Sequence, residues 1–428
     1  MAERLAQLPP SPASSLGGST VDQSKIALSR QMPKISPCRI SSGCAIIMIS
    51  FPHQLLHALC ALQHDRETRG IDTGSRALLV VWSYRESDHA PRSKARQFFE
   101  SALLAFPYIE CRFLSPYERR FALSPFRKLT SRANWIRKIF SISGGEQLSF
   151  YYPHDASRDH TAQAFMQALQ AEKNICYGDA PGFLYSSKKP SSPSPQLSLR
   201  WLKELFWLSR IKDTIPWLAA ESALIAVNFN EWEEHNNLPY PIEIPSSIFT
   251  PTLASLKSAF SQIADFEEKL SKQSLNVSTA ILILSNFTNS KLTNQRNELA
   301  LYRSICKANL RTGDYLYIKK HAGTSQAFMS KLLAVLKDYQ VEAFPTSLEH
   351  IPIELFTDLH RSCQIISVSS ASALFSLIPG THTNHALTEE HINLYFNPPF
   401  RSHMITANNR ILQKSHSNRQ AFAHTNEK

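Results

Sequence analysis

Short runs that are apolar at nearly every position, separated by stretches with helical spacing, constrain this chain more than any other feature. The first series has such runs at 45–49, 77–82 and 148–152, with further strands expected at 109–114 and 174–177. A continuous apolar run suits a strand buried on both faces of a parallel sheet, which crossover helices must then cover. Helices are expected after Pro52, where Leu55, Leu56, Leu59 and Leu62 share one face, and over 93–106 and 157–172. A second series follows, with strands at 279–284, 315–318, 341–344 and 363–368. Its helices are expected at 294–308, 325–336, 353–359 and 370–377. Two successive α/β series of this kind predict two Rossmann-like domains facing each other across a cleft.

The connecting parts set the domain limits. Residues 1–43 lack periodicity and read as a flexible leader, and the polar tail 415–428 reads as disordered. The first domain is expected over 44–250 and the second, nucleotide-binding one over 251–414. A proline-rich hinge at 238–251 and a bridging helix at 253–270 join them. Residues 186–196, dense in Ser, Pro and Lys, are expected to form a mobile loop.

Composition narrows the partners. Lys plus Arg number 46 against 35 Asp plus Glu, a net charge of +11, so anionic ligands are favoured. With Gly at 12 and no G-x-x-x-x-G-K-[ST], a glycine-rich phosphate loop is not expected. The seven cysteines contain no C-x-x-C pair, so neither a disulfide framework nor a cysteine zinc site is indicated, and a cytoplasmic location fits best. The apolar run 44–51 is too short to span a bilayer. Residues 199–217 interleave Trp201, Phe206, Trp207 and Trp217 with Arg200, Lys203, Arg210 and Lys212. One reading is a core helix with cationic flanks. The other is a membrane-surface helix aided by the basic stretch 127–138, which would place the protein on the inner face of the cytoplasmic membrane. No nucleic-acid-binding motif is present, so nucleic acid is not an expected partner.

Three sets of polar residues fall where strands should end. Asp179 sits in Gly178-Asp179-Ala180-Pro181-Gly182, where a carboxylate can take a proton from an attacking hydroxyl or simply cap its own turn. Lys319 and His321 follow the run 315–318, suited to a phosphate or to plain solvent. Ser369, Ser370 and Ser372 stand where a strand meets a helix, suited to an anion or to capping. His382 and His385 have metal-pair spacing but no third ligand, so loop histidines are the better reading and no metal is expected.

The order acid, Lys-x-His, serines makes a family visible. The chain resembles the bacterial sialyltransferases and polysialyltransferases of the capsule and lipooligosaccharide type, which have the GT-B glycosyltransferase fold. Ser50 to Ala58, with Pro52, Gln54, Leu55 and Leu56, looks like the family's first strand-to-helix turn. Tyr177 to Gly182 occupies the place of its acidic motif, and Ser285 to Thr288, with Glu298 and Tyr302, resembles the start of its nucleotide-binding domain. Ile318 to Ala322 matches its His-Pro motif at His321, and Val368 to Leu374 resembles its Ser-Ser/Thr motif.

The resemblance implies an inverting, metal-independent sialyltransferase without a cofactor. Its donor would be CMP-sialic acid or a related CMP-nonulosonic acid, and its acceptor a glycan or glycolipid hydroxyl. Asp179 would be the general base. His321 would assist departure of the nucleotide, with Lys319, Ser369, Ser370 and Ser372 binding the donor. The sequence departs from the pattern at Gly178, where an acid is usual, at Ala180, where Gly is usual, and at Ala322, which replaces the proline. Those departures keep two alternatives open. One is a GT-B-like protein that binds a nucleotide or anionic glycan without transfer, and the other an enzyme of the same fold using another nucleotide sugar.

Overall fold

The computed structural model describes residues 44–69, 77–82, 93–115, 118, 129–142, 148–153, 165–166, 169–178, 222–225, 241–321, 323–359, 362–368, 375, 378 and 383–426. They belong to one compact unit, Arg39–Lys428. Two sheets organise it. The first holds β1 (Cys44–Ile49), β2 (Ala77–Val81), β3 (Ile109–Phe113), β4 (Leu148–Pro153), β5 (Lys173–Gly178), β6 (Ser222–Ile225) and β7 (Pro241–Glu243), in the order β3-β2-β1-β4-β5-β6-β7. The second holds β8 (Thr279–Ile283), β9 (Tyr315–Lys319), β10 (Gln340–Ala343), β11 (Gln364–Ser367) and β12 (Thr383–His385), in the order β10-β9-β8-β11-β12.

Every neighbouring pair is parallel. Each sheet therefore winds outward from its first strand in both directions, the Rossmann order, with a switch point between β1 and β4 and another between β8 and β11. This is the α/β architecture of two Rossmann-like sheets that the GT-B fold requires.

The strand sequences explain the layering. All residues of β1 and of β8 are buried. In β8 and β9 the side chains alternate between two apolar clusters. Ile281, Ile283 and Tyr317 join the core that also fills the first sheet, whereas Ala280, Leu282, Leu316 and Ile318 join a separate core on the opposite face. The helices that cover the sheets are α1 (Gln54–Arg69), α2 (Lys94–Ala102), α3 (Leu129–Ile139), α4 (Ser246–Ser258), α5 (Ser261–Ser274), α6 (Gln295–Asn309), α7 (Gln326–Val335), α8 (Glu389–Tyr395) and α9 (Pro398–Asn426).

Three expectations change. The bridging segment is two helices rather than one, because Phe260 leaves helical geometry (φ −128°) to bury its ring 5.1 Å from Phe98, on which it stacks. The hinge region 238–251 contains β7 and the first turns of α4, with Pro251 inside the helix. The chain within 415–428 is helical to Asn426, since α9 starts on two prolines suited to a first turn and continues without a breaker. β6, β7 and β12 were not expected, and at three or four residues each they are too short to show a pattern.

The expected leader 1–43, the loop 186–196 and the aromatic segment 199–217 lie outside the described residues. Among the described residues no helix is long and apolar enough to cross a membrane.

Candidate active site

The carboxyl edge of the second sheet carries the described part of the predicted site. Its last residues are in register: His385 opposite Ser367, Ser367 opposite Ile283, and Ile283 opposite Lys319. The segments that leave this row next to the β8–β11 switch point are those where an open α/β sheet takes its ligand.

The segment after β8 is a braced loop. Glu298, buried in the first turn of α6, accepts the backbone N–H groups of Phe287 (3.3 Å) and Thr288 (2.8 Å). The Tyr302 hydroxyl, one helical turn on, accepts the Ser285 N–H at 2.9 Å and lies 3.4 Å from Glu298 Oε1. Burial first, and then the Glu298 charge, push the Tyr302 phenol well above its ordinary pKa, so it stays protonated. The residues carrying the family resemblance at this point are thus the ones that hold the loop in shape.

The segment after β9 turns sharply into α7, whose N-cap Ser325 accepts the Phe328 N–H. His321 is exposed on this turn. Its Nδ1 accepts the Gly323 N–H at 3.0 Å, which leaves the proton of the neutral ring on Nε2. The two loops interlock. The Asn289 amide donates to the Gly323 carbonyl at 2.8 Å, and a Cβ on Gly323 would lie 2.4 Å from Nδ2 of Asn286. Glycine is needed here for close approach, not for its backbone angles.

Lys319 lies elsewhere than the sequence reading placed it. It is the last residue of β9 rather than part of the polar turn, and it is 5 % exposed. Its Nζ donates to the carbonyls of Leu348 (2.9 Å) and Glu349 (2.7 Å), 4.8 Å from the centroid of the Phe344 ring. Burial lowers its pKa to about 7, with Glu354 and Glu349 opposing the shift. Two of its N–H bonds are met by these carbonyls. Lys319 is therefore spent on anchoring the segment after β10, and its charge does not face a ligand on the sheet edge.

That segment also meets the first sheet's helices. The Lys94 ammonium donates to the Thr346 carbonyl at 2.8 Å, and Glu349 lies 2.9 Å from Lys320 and 3.8 Å from Lys94. Nothing in the sequence marks Glu349 as the carboxylate shared by these two lysines.

The depressed Lys319 pKa has a measurable consequence. Between pH 7 and the unfolded value near 10.4 the unfolded chain holds the extra proton, so this group adds stability as pH rises through that window and adds least below it. Lys319→Met should flatten the rise in melting temperature between pH 7 and 9 relative to the parent protein. Parallel slopes for the two proteins would contradict the buried-amine assignment.

Asp179 follows directly on Gly178, the buried last residue of β5, and lies with Ala180 outside the described residues. Ser369, Ser370 and Ser372 lie outside them as well, two to five residues beyond the fully buried Ser367 that ends β11. His382 is also outside them. His385 is in β12 rather than a loop, its Nε2 2.6 Å from Asn408 Oδ1, and burial lowers its pKa. Among the described residues no group of three or more His, Cys, Asp or Glu side chains could hold a metal ion.

A cavity of about 590 Å³ opens where α4 meets α5, lined by Leu253, Lys257, Phe260, Thr357 and Asp358. Its lysine is already committed, to Glu267 (2.7 Å), Thr357 (2.8 Å) and Asp358 (2.8 Å). Thr357 and Asp358 precede β11, so this cavity borders the edge where that strand enters the sheet, opposite the His321 turn.

No family model matches the chain, and no curated protein does. Solved structures resemble it at low identity. UDP-GlcNAc 2-epimerase from Neisseria meningitidis, bound to UDP-GlcNAc, is 11% identical with a TM-score of 0.38, over 78% of this chain and 79% of that one. The E. coli ADP-heptose LPS heptosyltransferase II is 10% identical at a TM-score of 0.33, over 87% and 99% of the two chains. Phytolacca americana UGT2, complexed with UDP-2-fluoro-glucose and pterostilbene, is 10% identical at a TM-score of 0.40, over 89% and 95%. Likenesses this distant assign no activity to the chain.

Proposed function

We propose that the protein is a glycosyltransferase of the GT-B type that moves sialic acid, or a related nonulosonic acid, from a CMP-sugar to a hydroxyl on a glycan or glycolipid. The observation that carries this reading is the His321 turn. It stands at the carboxyl edge of a Rossmann-ordered sheet, one strand from the switch point, with its ring oriented by Gly323 and its loop locked to the one after β8.

In this reading the acceptor oxygen attacks the anomeric carbon as the bond from that carbon to the CMP phosphate oxygen breaks, which inverts the centre. Asp179 takes the proton released by the acceptor. Negative charge grows on the departing phosphate, where the His321 Nε2–H and the hydroxyls of Ser369, Ser370 and Ser372 stabilise it more strongly than in the ground state. Lys319 supports the reaction by position, holding the end of β9 against the segment after β10. No metal or cofactor enters the scheme.

A second reading, binding without transfer, is favoured by one observation. Gly178 occupies a buried strand end where the resembled family has its first acid, leaving a single carboxylate in the motif. CMP release from CMP-sialic acid across a panel of glycan acceptors, set beside calorimetric CMP binding, separates the two. Release coupled to acceptor is the expected result, and tight CMP binding with no release from any acceptor would favour the binder.

A further inference from the structure

We infer that Asn286 binds the donor's phosphate beside His321, an assignment that rests on the donor-site reading above and adds a residue to it. Asn286 stands in the loop after β8, the first strand of its sheet, and this loop flanks the switch point. The loop is rigid from three sides. Glu298 and Tyr302 hold its backbone N–H groups, the Asn286 carbonyl accepts the Ser290 N–H at 3.1 Å, and Asn289 bonds to the Gly323 carbonyl.

Within this frame the backbone N–H groups of Ser285, Phe287 and Thr288 are committed, whereas the Asn286 carboxamide and the buried Thr288 hydroxyl make no hydrogen bond to any described residue. Asn286 is half-buried and packs over Gly323, whose missing Cβ is what leaves it room: a methyl there would come within 2.4 Å of Nδ2 and 3.3 Å of His321 Nδ1. A polar side chain with no role in holding its own loop, placed against the His321 turn, is a preorganised hydrogen-bond donor.

The chemistry selects an anion. A carboxamide N–H₂ is a hydrogen-bond donor that a phosphate oxygen accepts, and Asn286 and His321 stand on loops that leave the adjacent strands β8 and β9 and meet at Gly323. The pairing also accounts for Gly323, because any side chain at that position would push the amide off the turn.

Two substitutions test the assignment in the full-length protein, read by calorimetric binding of CMP. Asn286→Asp keeps size and shape but replaces the donor with a negative charge. It should weaken CMP binding by about a hundredfold, and Asn286→Ala by about tenfold, the cost of one hydrogen bond to a charged group. Gly323→Ala should weaken it by a similar factor to Asn286→Ala while leaving the melting temperature within a few degrees, since the displaced atoms end a flexible side chain. CMP affinity unchanged in Asn286→Asp, with the parent protein binding CMP, overturns the Asn286 assignment and leaves the donor-site reading standing. A parent protein that does not bind CMP overturns both.

Discussion

Asp179→Asn should lower kcat for sialyl transfer by about 10² to 10⁴-fold, the usual contribution of a positioned general base, while CMP affinity stays close to that of the parent protein. The reasoning is one of division of labour. Asp179 follows the last residue of β5 in the first sheet, whereas the turn proposed to face the phosphate follows β9 in the second. A residue that serves only the acceptor has no reason to alter nucleotide binding. Asn keeps the shape of Asp and its capacity to cap a turn, so a purely structural Asp179 would tolerate the change. The measurement is the initial rate of acceptor-dependent CMP release together with calorimetric CMP binding, and full activity in the variant would remove Asp179 from the mechanism.

His321→Ala should reduce kcat by about 10² to 10³-fold, as expected for loss of a donor aimed at charge that develops in the transition state. KM for the donor should change far less than kcat, because ground-state phosphate keeps its other partners. The turn should survive: Ser325 still caps α7, Asn289 still holds Gly323, and the Thr324 N–H still reaches the carbonyl of residue 321 at 2.9 Å. Steady-state kinetics in CMP-sialic acid check this, and a variant that loses affinity while keeping its turnover would recast His321 as a simple binding group.

The parts of the fold legible in the sequence are those whose cause is local. Apolar runs such as Ala45–Ile49 and Thr279–Ile283 announce strands because burial on both faces demands it at every position. Capping residues such as Asn294 and Ser325 mark helix starts through bonds to residues three positions on. Where the cause is distant, the reading fails or stays silent. Lys319 looks like the first residue of a polar turn, yet Phe344, Phe356 and the carbonyls of residues 348 and 349 make an interior for it, and none of these lies within 20 residues of it. Phe260 breaks a helix that spacing alone would continue, because its partner Phe98 is in another layer.

The candidate site divides in the same way. His321 could be singled out from its strand-end position. Asn286 falls within the stretch Ser285 to Thr288 that carries the resemblance, but its place against Gly323 comes from the close approach of two loops that are more than 30 residues apart in the chain. Glu298 and Tyr302 were visible only as part of a resemblance, and the structure supplies their physical task as the brace of the loop after β8.

The central claim, that the second sheet binds a cytidine nucleotide through its carboxyl edge, is tested most directly by a thermal-shift series of CMP, UDP and GDP on the full-length protein. Ligand at about a hundred times its dissociation constant stabilises a folded protein by about 2.7 kcal/mol, enough to raise the melting temperature by several degrees. The account predicts that shift for CMP and a much smaller one for UDP and GDP. A shift of equal or greater size with UDP or GDP, or none with CMP, would contradict it.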